Sequence, residues 1–201
     1  MSFRIEEKLL INRSHIYDFK KFLNSKGYTK LYKDRSLKSL YFENYNNQMF
    51  HDSEEGILPR KKIRIRTYPE NSLPSSQYFL EIKVSSVEGR YKKVKKIDLN
   101  YLTKVSRHGL YDHIYGPCFP KLYVCYDREY YKCNDSRITI DRNILYQNYK
   151  NEFRSKPEIN VLIEVKSSFN KNLDVLRNEF PFQRIRSSKY CSGFQKLFHQ
   201  L

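Results

Sequence analysis

Tryptophan is absent from this chain of 201 residues, and acidic residues are scarce: 22 Asp and Glu stand against 38 Lys and Arg, a formal net charge of +16. An acid deficit of this size points to an anionic partner such as nucleic acid, a membrane surface, a nucleotide or a polyphosphate. Cysteine is sparse too. Cys118, Cys125, Cys133 and Cys191 form no C-x-x-C pair and have no His at metal-ligand spacing. That argues against structural zinc and reads as reduced thiols in a cytoplasmic protein. The five histidines are scattered, with none in a Ser/His/Asp or H-E-x-x-H setting. No apolar run approaches the roughly 18–20 residues of a membrane span. The start, MSFRIEEKLL, is charged at once and has no apolar signal core. Repeats, low-complexity tracts and an interdomain linker are also missing, so a single domain over 1–201 is expected. Disorder is excluded by 18 Tyr and 13 Phe.

What the chain does have is a repeated strand pattern. Arg4-x-Glu6-x-Lys8, Arg64-x-Arg66, Glu81-x-Lys83 and Glu164-x-Lys166 alternate with Ile5, Ile63, Ile65, Leu80, Ile82, Val84, Ile163 and Val165. Side chains two apart in a strand share a face, so each segment has one apolar and one charged face.

Strands are expected at 3–11, 37–43, 61–68, 77–85, 90–98, 121–132, 136–143 and 159–167. Ser14 is placed to cap a helix running to about Lys26, which Gly27 ends. Short helices are expected within 44–55 and 99–115, another at 170–179, and a last one from Ser187 or Ser188 to Leu197. Glu88-Gly89 and Asn134-Asp135 mark hairpin turns. The fold class is therefore α+β, mainly antiparallel β. Eight short-linked strands tend to close into a barrel with flanking helices.

Two registers are open for such a barrel. One turns the apolar faces inward; the other turns in Glu6, Lys8, Arg64, Arg66, Glu81, Lys83, Arg128, Arg137, Glu164 and Lys166. Parity leaves open which of Lys92, Lys93, Lys95 and Lys96 would join them, because Val94 and Ile97 lie on opposite faces of a regular strand. A charged interior must be paired, wet or ligand-filled. The glutamates two residues before Lys8, Lys83 and Lys166 supply pairing, and the surplus bases await an anion. Asp127 and Glu129 flank Arg128 and would point outward. Tyr41 and Phe42 read as packing residues, and Asp141 as a structural pair for Arg137.

The ordered series R-x-E-x-K, SLYFEN, KIRIRTY, FLEIKVS, a basic run, YDREYY, RITID, LIEVKSS and SSKYCSGF resembles the VTC catalytic domain over about residues 3–198. VTC is the vacuolar transporter chaperone, a polyphosphate polymerase, and its domain is one of the triphosphate tunnel metalloenzymes (CYTH-like). The resemblance implies an eight-stranded closed tunnel with a polar, basic interior. It implies that Lys8, Arg64, Arg66, Lys83, Lys93, Arg128, Arg137, Lys166 and Lys189 act on phosphates, with Arg64, Arg66, Lys83 and Arg128 holding the nucleotide. Glu164, with Glu6, would hold Mn²⁺ or Mg²⁺. Arg4 stands where the wider superfamily has a first Glu, so one metal is expected and not two. Eukaryotic members also carry an SPX sensor and membrane helices; neither segment is in this sequence.

The activity so implied is transfer of the ATP γ-phosphate to a growing inorganic polyphosphate chain. ATP and polyphosphate would be the partners, with no nucleic acid, no membrane insertion, and room for a membrane partner encoded elsewhere. A triphosphatase of the same tunnel fold is the first alternative. It needs an activated water and hence spare carboxylates. A non-catalytic polyanion- or nucleic-acid-binding domain is the second. Such a domain would display basic and aromatic residues on one open surface.

Overall fold

Alternating side chains build long antiparallel ladders here, and the computed structural model of the protein describes residues 4–69, 77–168, 178, 180 and 182–198. Ten strands form: β1 (Arg4–Ile11), β2 (Thr29–Asn44), β3 (Arg60–Thr67), β4 (Tyr78–Ser86), β5 (Gly89–Ile97), β6 (Leu110–Asp112), β7 (Gly116–Cys133), β8 (Ser136–Asn148), β9 (Ser155–Pro157) and β10 (Val161–Ser168). Among the described residues four α-helices accompany them: α1 (Ile16–Ser25), α2 (Gln48–Glu55), α3 (Leu99–His108) and α4 (Lys189–Phe198). Pairing runs β1-β10-β8-β7-β2-β3-β4-β5, with β6 on β7 and β9 on β8. Among the described residues β1 and β5 are the two ends of this order, so the ladder does not return on itself. Of the helix expected at 170–179, only residue 178 lies among the described residues.

The chain divides into two compact units: Met1–Arg35 with Tyr126–Ile144 and Glu158–Ser187, and Ser36–Cys125 with Leu145–Pro157 and Ser188–Leu201. In the first unit β1, β10 and β8 turn one face toward α1. Leu9, Ile138, Ile140, Ile163 and Val165 bury there against Phe19 and Leu23. Phe22 and Phe182 meet edge to face, 5.7 Å between centroids. The turn before α1 is capped by Asn12, whose carboxamide oxygen accepts from the Ser14 N–H at 3.0 Å. Ser14, the cap expected from the sequence, is thus the capped residue.

In the second unit the apolar faces of β2, β3 and β4 pack on α2 and α3. Leu40, Phe42, Ile63 and Ile65 meet Met49 and Val105. Asp98 caps α3, its Oδ1 accepting from the Tyr101 N–H at 2.7 Å. Phe194 of α4 stacks on Phe50 of α2 with centroids 4.2 Å apart, and Tyr190 stacks on Tyr41 at 5.1 Å. Gly193 permits this seat for α4: a Cβ there would lie 2.6 Å from the Tyr146 ring.

Within both units the apolar strand faces go to the helices. The charged faces are the opposite ones, yet several of their residues are buried as well: Arg64, Arg66, Glu81 and Glu164 are each exposed by 9% or less.

Candidate functional site

In the second unit the site is built on three registered strands. Arg64 of β3 lies between Tyr41 of β2 and Glu81 of β4. Its Nε donates to Glu81 Oε2 at 2.7 Å, and its Nη1 donates to the Tyr41 hydroxyl at 2.7 Å. Arg66 reaches the same carboxylate at 3.9 Å, and Lys92 Nζ donates to Glu81 Oε1 at 3.1 Å. Burial pushes the Glu81 carboxyl up. The charges of Arg64 and Arg66, with the Arg64 hydrogen bond and Lys92, outweigh it and hold the group down at about 2. Burial likewise raises Tyr41, and the same two guanidinium groups more than reverse it, so its hydroxyl is more acidic than usual.

One register step along, Lys62, Lys83 and Lys92 lie directly across from one another on β3, β4 and β5. A row of like charges opposes folding unless an anion or a carboxylate neutralises it. Lys62 Nζ donates to the Ser188 hydroxyl at 2.8 Å, just before α4. The Lys189 charge, on the first turn of α4, also acts on Tyr41. The unit thus presents a cationic face with one strongly ionised carboxylate in it. Its other acid on that face, Glu43, accepts from the α2 N–H groups of Met49 and Phe50 and from the Tyr190 hydroxyl. Burial raises the Glu43 carboxyl above its ordinary range despite those bonds.

The first unit carries a different arrangement. Glu6 lies across from Lys166, and Lys8 across from Glu164. On the next strand Glu164 faces Thr139, and Lys166 faces Arg137. Lys166 Nζ stands 2.9 Å from Glu164 Oε1 and 3.5 Å from Glu6 Oε2. Both carboxylates therefore converge on one cation position. Arg128 is held side-on by Asp141, with bonds of 2.6 and 2.7 Å, and lies 4.0 Å from Glu164. Burial opposes ionisation of Glu164, but Lys166, the hydrogen bond shared with Glu6 and the Arg128 charge hold its carboxyl well below the usual range. Lys8 Nζ donates to the Ser187 carbonyl at 2.5 Å.

Several expectations need correction. Lys93 faces away from Arg64 and Glu81: it lies across from Ile82, and Lys92 takes the place facing Lys83. Asp141 holds Arg128 of the neighbouring strand, not Arg137. Glu129 does not point to water. It is 1% exposed and takes Lys20 of α1 at 2.9 Å, because α1 covers that side of β7. Tyr41, read as packing, touches Arg64 directly. The alternation Ser39, Tyr41, Glu43 within SLYFEN was the available signal for that contact.

No group of three His, Cys, Asp or Glu side chains gathers among the described residues. Glu164 and Glu6 share one cation position, which the Lys166 ammonium fills, and they are the two carboxylates a divalent ion there would use. No described helix is long and apolar enough to cross a membrane.

The fold is an antiparallel α+β sheet whose charged strand faces carry buried ion pairs. The VTC domain model matches residues 3–198, so the chain belongs to the VTC-domain family. No curated protein matches the chain. Among solved structures it is similar to a candidate adenylate cyclase from Bacillus halodurans, at TM-score 0.64 and 12% identity, covering 98% of each chain. A conserved hypothetical protein from Pyrococcus furiosus follows at TM-score 0.58 and 16% identity, covering 94% of this chain and 99% of that one. A candidate adenylyl cyclase from Hippeastrum, described as having a dominant triphosphatase activity, is similar at TM-score 0.57 and 15% identity, covering 95% of each. At these identities the likeness is one of fold.

Proposed function

We propose that this protein is a polyphosphate polymerase that transfers the ATP γ-phosphate to a growing inorganic polyphosphate chain. The whole chain would form one catalytic domain. Its closed, basic tunnel, a cytoplasmic location and an Mn²⁺ or Mg²⁺ cofactor are parts of the same proposal. The observation that carries it is the cationic face of the second unit, where Arg64, Arg66 and Lys92 surround a single ionised glutamate. Membership of the VTC-domain family supports a phosphate-chain substrate for that face.

The acceptor in this reaction is a terminal phosphate oxygen, already anionic at neutral pH, so no general base is required. Its oxygen forms a bond to the γ-phosphorus as the bond to the ADP oxygen breaks. The chain's residues bind and orient the phosphates and neutralise their charge. Arg64 would present its outer N–H groups to phosphate while Glu81 fixes the guanidinium plane. Asp141 would do the same for Arg128. Lys83, Lys189, Lys8, Lys166 and Arg137 would add charge at defined register positions. Glu164 and Glu6 would hold a divalent ion, which would supply charge neutralisation for the phosphates.

A triphosphatase is the second reading, favoured by the converging carboxylates of the first unit and by the activity described for the Hippeastrum protein. Incubation with γ-labelled ATP and Mn²⁺ separates the two on a polyacrylamide gel. A nuclease-resistant ladder with stoichiometric ADP is expected. Orthophosphate without a ladder would establish hydrolysis instead.

A further inference from the structure

β8 turns three side chains to the charged face of the first unit: Arg137, Thr139 and Asp141. Asp141 is satisfied by Arg128. The other two are not. Thr139 is 3% exposed, and among the described residues its buried Oγ1 has no hydrogen-bond partner; nor has the buried Arg137 Nε. By register Thr139 lies directly across from Glu164, and Arg137 across from Lys166. Residues two apart on a strand point to one side, so both donors lie on the face of the sheet that carries Glu164.

A buried hydroxyl without a partner costs free energy that a valine of the same shape would not. Among the described residues no acceptor makes a hydrogen bond to it. An acceptor that arrives with a ligand would satisfy both donors together, since a phosphate group offers several oxygens within the span of two neighbouring side chains.

Resting on the phosphate-transfer reading above, we propose that Thr139 is a substrate-binding residue whose hydroxyl donates to a phosphate oxygen beside Glu164, paired with Arg137 Nε. The ligand class is an inorganic or nucleoside polyphosphate. The contact is made through one neutral hydroxyl, so it discriminates by position and not by charge. It is therefore less sensitive to salt than the Lys and Arg contacts.

The test compares wild type, Thr139→Val and Thr139→Ser by calorimetric titration with tripolyphosphate, with and without Mg²⁺, alongside thermal melting. Thr139→Val should melt at the same or a higher temperature, because the orphan hydroxyl is gone, and should bind about tenfold more weakly. Thr139→Ser should bind within a few-fold of wild type. The Val deficit should persist as salt is raised. Equal binding by Thr139→Val and wild type would overturn this inference and leave the phosphate-transfer reading standing. A Val variant that melts lower would also overturn it, by assigning the hydroxyl a structural bond. Wild type that binds no tripolyphosphate in either condition would overturn both.

Discussion

Two tripeptides of almost the same sequence, Glu81-Ile82-Lys83 and Glu164-Val165-Lys166, sit on strands of the same kind, yet their charges do different things. In the first unit Lys166 folds onto its own glutamate at 2.9 Å and onto Glu6 as well. Glu6, Asp141 and Glu164 there come close to balancing Lys8, Arg128, Arg137 and Lys166. In the second unit Lys83 is exposed and lines up with Lys62 and Lys92, while Glu81 is claimed by Arg64 and Arg66. The cause is the neighbouring strand in each case. Glu164 meets Lys8 and Thr139 across the ladder; Glu81 meets Arg64 and Val94. Cross-strand partners, not the local sequence, decide that one glutamate shares a lysine with a second carboxylate and the other serves as an anchor for arginine.

The largest effect should come from Glu164→Gln. It keeps the shape but removes the charge on which a divalent ion depends. Turnover at fixed Mn²⁺ should fall at least about 100-fold, with the metal titration displaced to higher concentration. Lys166 retains Glu6 and Arg128 retains Asp141, so the circular dichroism spectrum should be unchanged. An unaltered metal titration would remove the metal from the first unit. Arg64→Ala comes next. Loss of a charged phosphate contact should cost about 10–100-fold in tripolyphosphate affinity. Glu81 still has Arg66 and Lys92, so the fold should persist. Full activity in that variant would sink the phosphate role of the second unit.

Glu81→Gln tests the contrast between the two glutamates. Glu81 titrates at about 2 in the folded chain against an ordinary 4.5. A carboxyl with a depressed folded value contributes stability above its unfolded value and loses it as pH falls through the folded one. Wild type should therefore exceed Glu81→Gln by about 2–3 kcal/mol at neutral pH, and the gap should close between pH 4.5 and pH 2. Its metal titration should match wild type. A shift as large as that of Glu164→Gln would mean that the two glutamates are not distinct after all. Glu43 carries the opposite sign, because its folded value is raised. Its contribution is full below the ordinary carboxylate value and is lost as pH rises through the folded one.

The strands at KIRIRTY, FLEIKVS and LIEVKSS were legible because apolar and charged residues alternate so regularly there; their order in the sheet was not. The hairpin turns at Glu88-Gly89 and Asn134-Asp135 were legible for the chemistry of their residues. Partner choice was not. Asp141 could be read as a charge on RITID, but its pairing with Arg128 depends on how β7 and β8 slide past each other, and no local residue records that. Glu129 looked solvated because its neighbours are charged. What buries it is α1, more than a hundred residues earlier, through Lys20. Tyr41 was hidden for the opposite reason: a tyrosine in an apolar stretch reads as core until Arg64 is set beside it.

The smallest effect is also the sharpest check of register. In RYKKVKKI the spacing of Val94 and Ile97 leaves parity undecided, and two adjacent lysines compete for one face. Pairing with β4 places Lys92 beside Glu81 and Lys93 across from Ile82. Lys92 is still 45% exposed, so solvent screens much of its charge and Lys92→Ala should weaken tripolyphosphate binding only a few-fold. Lys93→Ala should leave it unchanged, although both variants lose one positive charge from the same strand. Equal losses would mean that β5 acts as a diffuse basic surface, and the assignment of separate faces would fail at that strand. A larger loss for Lys93 would shift the register by one residue and carry Val94 off the Glu81 face with it.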